Sequence, residues 1–260
     1  MKYARLFAAF FKASLVADLE YRANFVTRIA TDIFWYAAQI ITFETLFRHT
    51  DRIGSWNLEQ TRVFLGLLFV VDAFYMIFFH DNLDRMSDRV RKGEMDLLLA
   101  KPVDSQFMLS CQRMATALIG NLLIGLSWLS FSLYNLPGFQ PARLLWLIFL
   151  IPAGLLCLYS VRFMFCSTAI LFTRSENLQY LWFQVYKLGM RPDSIYFPWL
   201  KFVILTILPV GIVASVPARA ILDPPNFALF AWVVVWSFVL LYLSHRFWQW
   251  ALTKYSSASS

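Results

Sequence analysis

Charge is the scarcest commodity in this sequence. Of 260 residues, 23 are Lys or Arg and 16 are Asp or Glu, while 59% are hydrophobic. A water-soluble domain of this length needs a more charged surface, so the composition excludes one. Cysteine is scarce as well. Cys111, Cys157 and Cys166 make no disulfide framework, since the last two share one predicted helix roughly 13 Å of rise apart. His49, His80 and His245 fall on separate segments with no second ligand nearby, which argues against a metal site. No G-x-x-x-x-G-K-[ST] run occurs, and Lys92-Gly93 has the wrong order and is followed by Glu94, so the chain has no phosphate cradle of its own. H-E-x-x-H, G-x-S-x-G and any His/Asp/Ser grouping at one depth are also missing. An intramembrane protease or acyltransferase is left with only the adjacent His80 and Asp81 to build on.

What the sequence has is long apolar runs. They recur at about 20 residues, the length a helix needs to cross roughly 30 Å of hydrocarbon. The short alternating segments of a β-barrel are absent. The reading is an all-α integral membrane protein with six transmembrane helices: Phe25 to Phe47, Thr61 to His80, Gln112 to Tyr134, Arg143 to Phe172, Trp199 to Val216 and Phe227 to Trp250. The fourth window has 30 residues and must tilt or project. The fifth contains Pro209 and ends at Pro217, which predicts a kink or break there. No repeat, linker or extramembrane domain interrupts the chain, so residues 1–260 read as one domain.

Placing the N-terminus in the cytoplasm puts 17 Lys and Arg on that side, in segments 2–28, 85–113, 174–201 and 246–254. Five remain opposite, Arg48, Arg52, Arg62, Arg143 and Arg219, and Arg162 lies within a span. The bias sets both termini inside. It also accounts for the net charge of +7 through topology and anionic membrane lipids, so nucleic acid is not implied as a partner. Trp56, Trp146, Trp199, Trp248 and Trp250 fall near predicted interfaces, where indole anchors in the headgroup layer.

The first 25 residues lack the apolar core of a signal peptide, because Lys12, Asp18 and Glu20 break it. Tyr3, Leu6, Phe7, Phe10 and Ala17 share one helical face with Arg5 and Lys12 opposite. This predicts an interfacial amphipathic helix; the alternative is the frayed start of the first span.

After the second span, Asp81 to Arg85 and Asp88 to Arg91 and Lys92 stand at helical spacing, so the helix continues into water. Gly93 suits a left-handed stop, Glu94 and Asp96 suit a new helix start, and Pro102 ends it. The short helix between carries Leu97, Leu98 and Leu99, and no other soluble part of the chain is large enough to cover all three. Either they fold back onto the interfacial helix or the bilayer surface, or they dock into a groove on another protein.

Charges inside spans cost several kcal/mol unless paired or wetted. Arg28 with Asp32, and Glu44 with Arg48, are four apart and predict local ion pairs. Asp72 and Arg162 sit roughly 13 and 17 Å deep by helical rise, so a pair between the second and fourth spans is expected. The alternative is that one of them lines a transport path. Phe69, Phe74, Tyr75, Phe78 and Phe79 crowd the second span; lipid contact explains them, as does an aromatic cavity for a cationic amphiphile.

At this point the sequence resembles the permease subunits of ABC type 2 exporters, in the compact branch that includes the viologen-exporter permeases. "RKGEMDLLLAKPVDS" at Arg91 to Ser105, "MRPDSIYFPWLKFVILTILPVGIVASVPARAIL" at Met190 to Leu222 and the ending "ALTKYSSASS" carry the resemblance, although Arg191 stands where an aromatic is usual. The resemblance implies an N-terminal elbow helix, six spans and a cytoplasmic coupling helix formed by Glu94, Met95, Asp96, Leu97, Leu98, Leu99 and Pro102. It further implies docking onto a separate nucleotide-binding ATPase that holds ATP and Mg, a second permease, copy or relative, and the bacterial cytoplasmic membrane. The implied function is export of an amphiphilic drug, peptide or lipid. The reading against it is a self-contained secondary transporter or channel, which would rely on Asp72.

Overall fold

The computed structural model describes residues 2–20, 22–171 and 176–255. Its named elements are all helical, with one isolated bridge between Ile53 and Trp56. The predicted end of the fourth span at Phe172, Arg174 beyond it, and the tail from Ser256 to Ser260 lie outside the described residues.

Helix α1 (Lys2–Glu20) leads to α2 (Arg22–Phe47). A reciprocal capping box then starts α3 (Leu58–Arg91): Asn57 Oδ1 accepts from the Gln60 N–H at 2.9 Å while Gln60 Oε1 accepts from the Asn57 N–H at 3.0 Å. Two short helices follow, α4 (Met95–Leu99) and α5 (Ser105–Cys111). The remainder is α6 (Thr116–Tyr134), α7 (Pro141–Ile170), α8 (Glu176–Gly189), α9 (Pro198–Ile207), α10 (Pro209–Leu222) and α11 (Phe227–Leu252).

Helices α3, α6, α7 and α11 are long and apolar enough to cross a bilayer, and α9 with α10 makes a fifth candidate as a pair bent by 83°. Helix α2 has 26 residues, enough length, but Arg28, Asp32 and Glu44 make it less apolar than those four. The second predicted span continues to Arg91, 34 residues in all, as the charge spacing beyond His80 requires. Its middle, Met76–His80, is a π-helical turn.

α3 is the axis of the bundle. Val63, Phe64, Leu67 and Phe69 are fully buried, and their positions cover every side of the helix, the pattern of a helix packed on all faces. Antiparallel α6 lies so close that Gly66 sits against Leu129 and Gly125 against Phe69. Two of the expected headgroup anchors are instead core residues. Trp56 is 3% exposed and packs on Phe64, and Trp248 is 0% exposed and donates to Ser105 Oγ at 2.9 Å. Trp199 and Trp250 do stand exposed.

The bend between α9 and α10 falls where Pro209 predicts it. Leu208 leaves helical space at φ −117°, ψ 75°, because the proline ring crowds the residue before it. Pro217 does not end the segment, since α10 runs through it to Leu222. A proline removes one backbone donor, which neighbouring helices can tolerate.

The pair also departs from a simple crossing. Ser194, just before α9, packs directly on Gly54. Just after α10, the Asp223 carbonyl accepts from Arg143 Nη1 at 3.0 Å. Gly54 precedes α3 and Arg143 is in the first turn of α7, so the pair enters and leaves at one end of the bundle, the Gly54 end. The passage between ends is made by α8, whose Tyr186 reaches Asp72 in the middle of α3. Residues 176–201 are therefore not a loop on one side: Lys201 lies at the Gly54 end, 3.4 Å from Asp193. Helix α8 escapes notice in the sequence because it is 14 residues long and mixes Gln and Lys with its aromatics.

Gly189 ends α8 where it meets the bend. A Cβ there would stand 2.3 Å from the Val210 carbonyl oxygen. Gly189→Val is expected to lower the melting temperature in detergent by several degrees, since backbone cannot yield as a side chain can. Gly120→Ala, whose Cβ meets only Ile29 at 3.6 Å, should leave it unchanged. Equal melting of the two variants would show that the close approach is unimportant.

Candidate functional site

The site begins where α3 stops. Gly93 takes φ 72°, the Glu94 N–H bonds the Arg89 carbonyl at 3.0 Å and the Gly93 N–H bonds that of Val90 at 3.2 Å. This six-to-one and five-to-two pairing satisfies the last carbonyls of the helix and turns the chain sharply. Glu94 then stands at the N-cap of α4, with Asp96 in its first turn.

One turn of helix cannot present three consecutive leucines on one face, because successive side chains are about 100° apart. Leu97 is 74% exposed, whereas Leu98 is 7% exposed and Met95 is fully buried. Met95 and Leu98 pack with Leu83, Met86, Met108, Phe163 and Trp248, and Leu6, Phe10 and Leu99 close the edge of that cluster. The expectation that nothing in the chain could cover the leucines is thus corrected: the chain covers Leu98 and Leu99 and leaves Leu97 outward. Glu94 and Pro102 are exposed beside it.

Three elements hold the segment. From α1, Lys2 Nζ donates to the Pro102 carbonyl at 2.6 Å and Tyr3 stacks edge-on against Phe107, with ring centres 5.0 Å apart. Leu6, Phe7 and Phe10 follow on the same face, Phe7 against Phe78 at 5.8 Å. From α7 and α11 comes a polar network centred on Gln106 in α5. Its Nε2 donates to Tyr159 Oη at 3.1 Å and Ser244 Oγ at 3.2 Å, and its Oε1 lies 3.0 Å from His245 Nδ1. Asp104 caps α5 by accepting from the Phe107 N–H at 2.8 Å. Past α11, burial and then the nearby Asp96 carboxylate push the Tyr255 phenol up from its ordinary range. The α4–α5 segment is thus in contact with α1, α7 and α11 at once.

The intramembrane charges are arranged differently from expectation. Asp72 and Arg162 do not pair. Asp72 Oδ1 accepts from Tyr186 Oη at 2.6 Å, and Arg162 forms an ion pair with Asp84 while its guanidinium lies 5.4 Å over the Trp182 ring. The predicted pairing counted depth from a membrane span ending at His80. In the structure the acid level with Arg162 is Asp84, on the continuation of α3 to Arg91. The two local pairs are also replaced by pairs between helices: Arg28 binds Asp81 through two bonds of 2.7 and 3.1 Å, and Glu44 takes Arg62 through bonds of 2.6 and 2.9 Å. Asp81 is thereby taken from Arg85, whereas the predicted Asp88–Arg91 pair is present at 2.8 Å.

Sequence reasoning missed Gln106, Tyr159 and His245, and also Tyr186 and Asp84. The polar group Tyr159-Ser160-Arg162 interrupts an apolar run and marks Tyr159, and the Trp182-Tyr186 spacing marks one helical face. Double-mutant cycles should find coupling of about 1 kcal/mol or more for Arg162 with Asp84 and for Asp72 with Tyr186, and close to none for Arg162 with Asp72. Strong coupling of the last pair, measured by thermal melting, would contradict this arrangement.

Residues 33–259 match the model of a family described as ABC-2 family transporter protein. No curated protein and no solved structure matches. The matched stretch takes in α3 to α11, with the clamped α4 segment and the bent pair. Together with four helices apolar enough to span a bilayer, it makes the protein a multi-pass membrane component of a transport system. The chain belongs to the ABC-2 family of transporter proteins.

Proposed function

We propose that this chain is the membrane-spanning permease subunit of an ATP-driven exporter in the bacterial cytoplasmic membrane, and that the whole of residues 1–260 acts as one permease domain. The observation that carries the proposal is Leu97, an exposed leucine on a single-turn helix at the tip of α3, flanked by exposed Glu94 and Pro102 and braced from three sides. A surface meant to receive force needs an outward apolar contact and a rigid backing, and this segment has both. Permeases of the family normally work with an ATPase partner, and that subunit would hold ATP and Mg.

In this reading α2, α3, α6, α7, α8 and α11 are the six crossings, α9 and α10 form a re-entrant pair on the outer side, and α1 is the elbow helix in the inner interface. The charge bias supports the orientation. Moving Arg191 and Lys201 to the outer side and Lys187 into α8 still leaves 14 basic residues inside against 7 outside. The charges of α2 are compatible with a crossing because Arg28 and Glu44 are both neutralised by α3. Ile33, Phe34 and Ile41 on α2 are exposed, a surface suited to lipid or to a second permease, whether a copy of this chain or a relative. An amphiphilic cargo fits a route between such apolar faces.

The test is co-expression with the ATPase encoded nearest its gene, followed by affinity purification. Leu97→Asp should abolish recovery of the ATPase with no loss of melting temperature, because Leu97 supports nothing inside the chain. Leu98→Asp should instead lower the melting temperature, since it buries a charge. Full recovery of the ATPase with Leu97→Asp would remove the docking role from this segment.

A further inference from the structure

A pocket of about 470 Å³ opens between α1, the base of α2, the end of α3 and the turn before α6. Four arginines line it, Arg28, Arg85, Arg89 and Arg113, against a single lining carboxylate, Asp18. Asp18 is engaged already, accepting from Thr116 Oγ1 at 2.7 Å and from the Ala117 N–H at 3.2 Å. Arg28 is answered from behind by Asp81. Among the described residues Arg85, Arg89 and Arg113 form no ion pair, and Arg89 Nη1 is buried with no hydrogen-bond partner. Asp18 in the lining, Asp81 behind Arg28 and Glu94 acting on Arg89 from outside the lining do not match the four arginines, so the cavity stays net cationic, with a desolvated N–H awaiting an acceptor. A buried guanidinium donor left unmatched is costly, and a phosphate oxygen satisfies it with a charge-assisted bond.

The surroundings select the kind of phosphate. The face of α1 that lines the pocket is made of small side chains, Ala13, Ser14 and Ala17, with Asp18, while Leu15, Val16 and Leu19, exposed and apolar, are on the opposite, outer face of the same turns. Val26 at the start of α2 is exposed too. A cationic cavity beneath a helix whose outer face is apolar, at the end of the bundle where α1 lies, suits a headgroup held under α1 with its acyl chains among the exposed apolar side chains of α1 and α2. The volume lies within the roughly 300–1,000 Å³ of small-molecule pockets, room for a substituted phosphate rather than a bare ion.

We propose that this pocket binds the phosphate headgroup of an anionic membrane lipid, with Arg89 and Arg113 as its principal donors. Nothing in the transport reading is required for this, only the membrane location.

The experiment uses the purified full-length chain in detergent, titrated with phosphatidylglycerol, phosphatidylcholine or inorganic phosphate and followed by melting temperature and native mass spectrometry. Phosphatidylglycerol should stabilise the wild type and remain bound, phosphatidylcholine should do neither, and Arg89→Gln with Arg113→Gln should weaken phosphatidylglycerol binding about tenfold or more. Ala17→Phe, which fills the pocket and keeps every charge, should weaken it as well and serves if the double variant folds poorly. Arg48→Gln with Arg52→Gln, at the Gly54 end, should change nothing. Stabilisation by inorganic phosphate to the same extent would overturn the lipid assignment in favour of a free anion. Undiminished lipid selectivity in both pocket variants would overturn the site, and so would loss of ATPase recovery by the double variant with lipid binding intact.

Discussion

Four charges that α3 carries into the bundle are answered by side chains from other helices. Arg62 takes Glu44 of α2, Asp72 takes Tyr186 of α8, Asp81 takes Arg28 of α2, and Asp84 takes Arg162 of α7. Hydrocarbon offers no water to solvate these groups, so a partner must come from the protein. Removing one member of a buried pair costs about 3–5 kcal/mol, because the other remains charged and unsolvated. Such pairs fix which helices are neighbours and at what height, a specificity that apolar contact cannot supply, since lipid is as good a neighbour for leucine as another helix is. The rest of the arrangement follows from α3 held in this way.

The same axis governs the end at which work would be delivered. α3 extends past the level where hydrophobicity ends, and the glycine turn at Gly93 aims α4 back against the bundle. Met95 and Leu98 are spent on internal packing, which makes α4 rigid, and the remaining leucine faces out. Rigidity would matter for the proposed docking role: a loop held only by its ends would absorb a push, whereas α4 and α5, tied to α1, α7 and α11, would pass it on. At the opposite end Asp193, fully buried, binds Arg219 and lies 3.4 Å from Lys201. It fastens the turn after α8 to both arms of the bent pair, so that the pair is seated on the crossing helices as a unit.

Much of this was legible from residues alone. Long apolar runs identify the spanning helices because burial in lipid requires apolarity over a fixed length, whatever the neighbours. The continuation of α3 beyond His80, the stop at Gly93, the break at Pro209 and the short helix after Glu94 were legible too, since each depends on a local backbone rule. The partners of the charges were not. Arg28 has Asp32 one turn away and Glu44 has Arg48, and a local reading prefers these, yet both are used across helices, where burial makes the interaction stronger. Nor was the fate of the leucines legible, because which residue of a single-turn helix faces inward depends on where α11 and α1 lie.

The sequence by itself determined that this is a helical membrane protein of the ABC-2 kind, where its apolar helices run and where its backbone must turn, because hydrophobic length and the conformational limits of glycine and proline are properties of short segments. Only the tertiary structure decided that α8 links the two ends of the bundle, that α9 and α10 return to the end they left, that Asp84 rather than Asp72 meets Arg162, and that Leu97 is the leucine left outward. Those outcomes depend on which surfaces come together in three dimensions. Charge pairing and close packing act between residues far apart in the chain, and no local pattern encodes their distance.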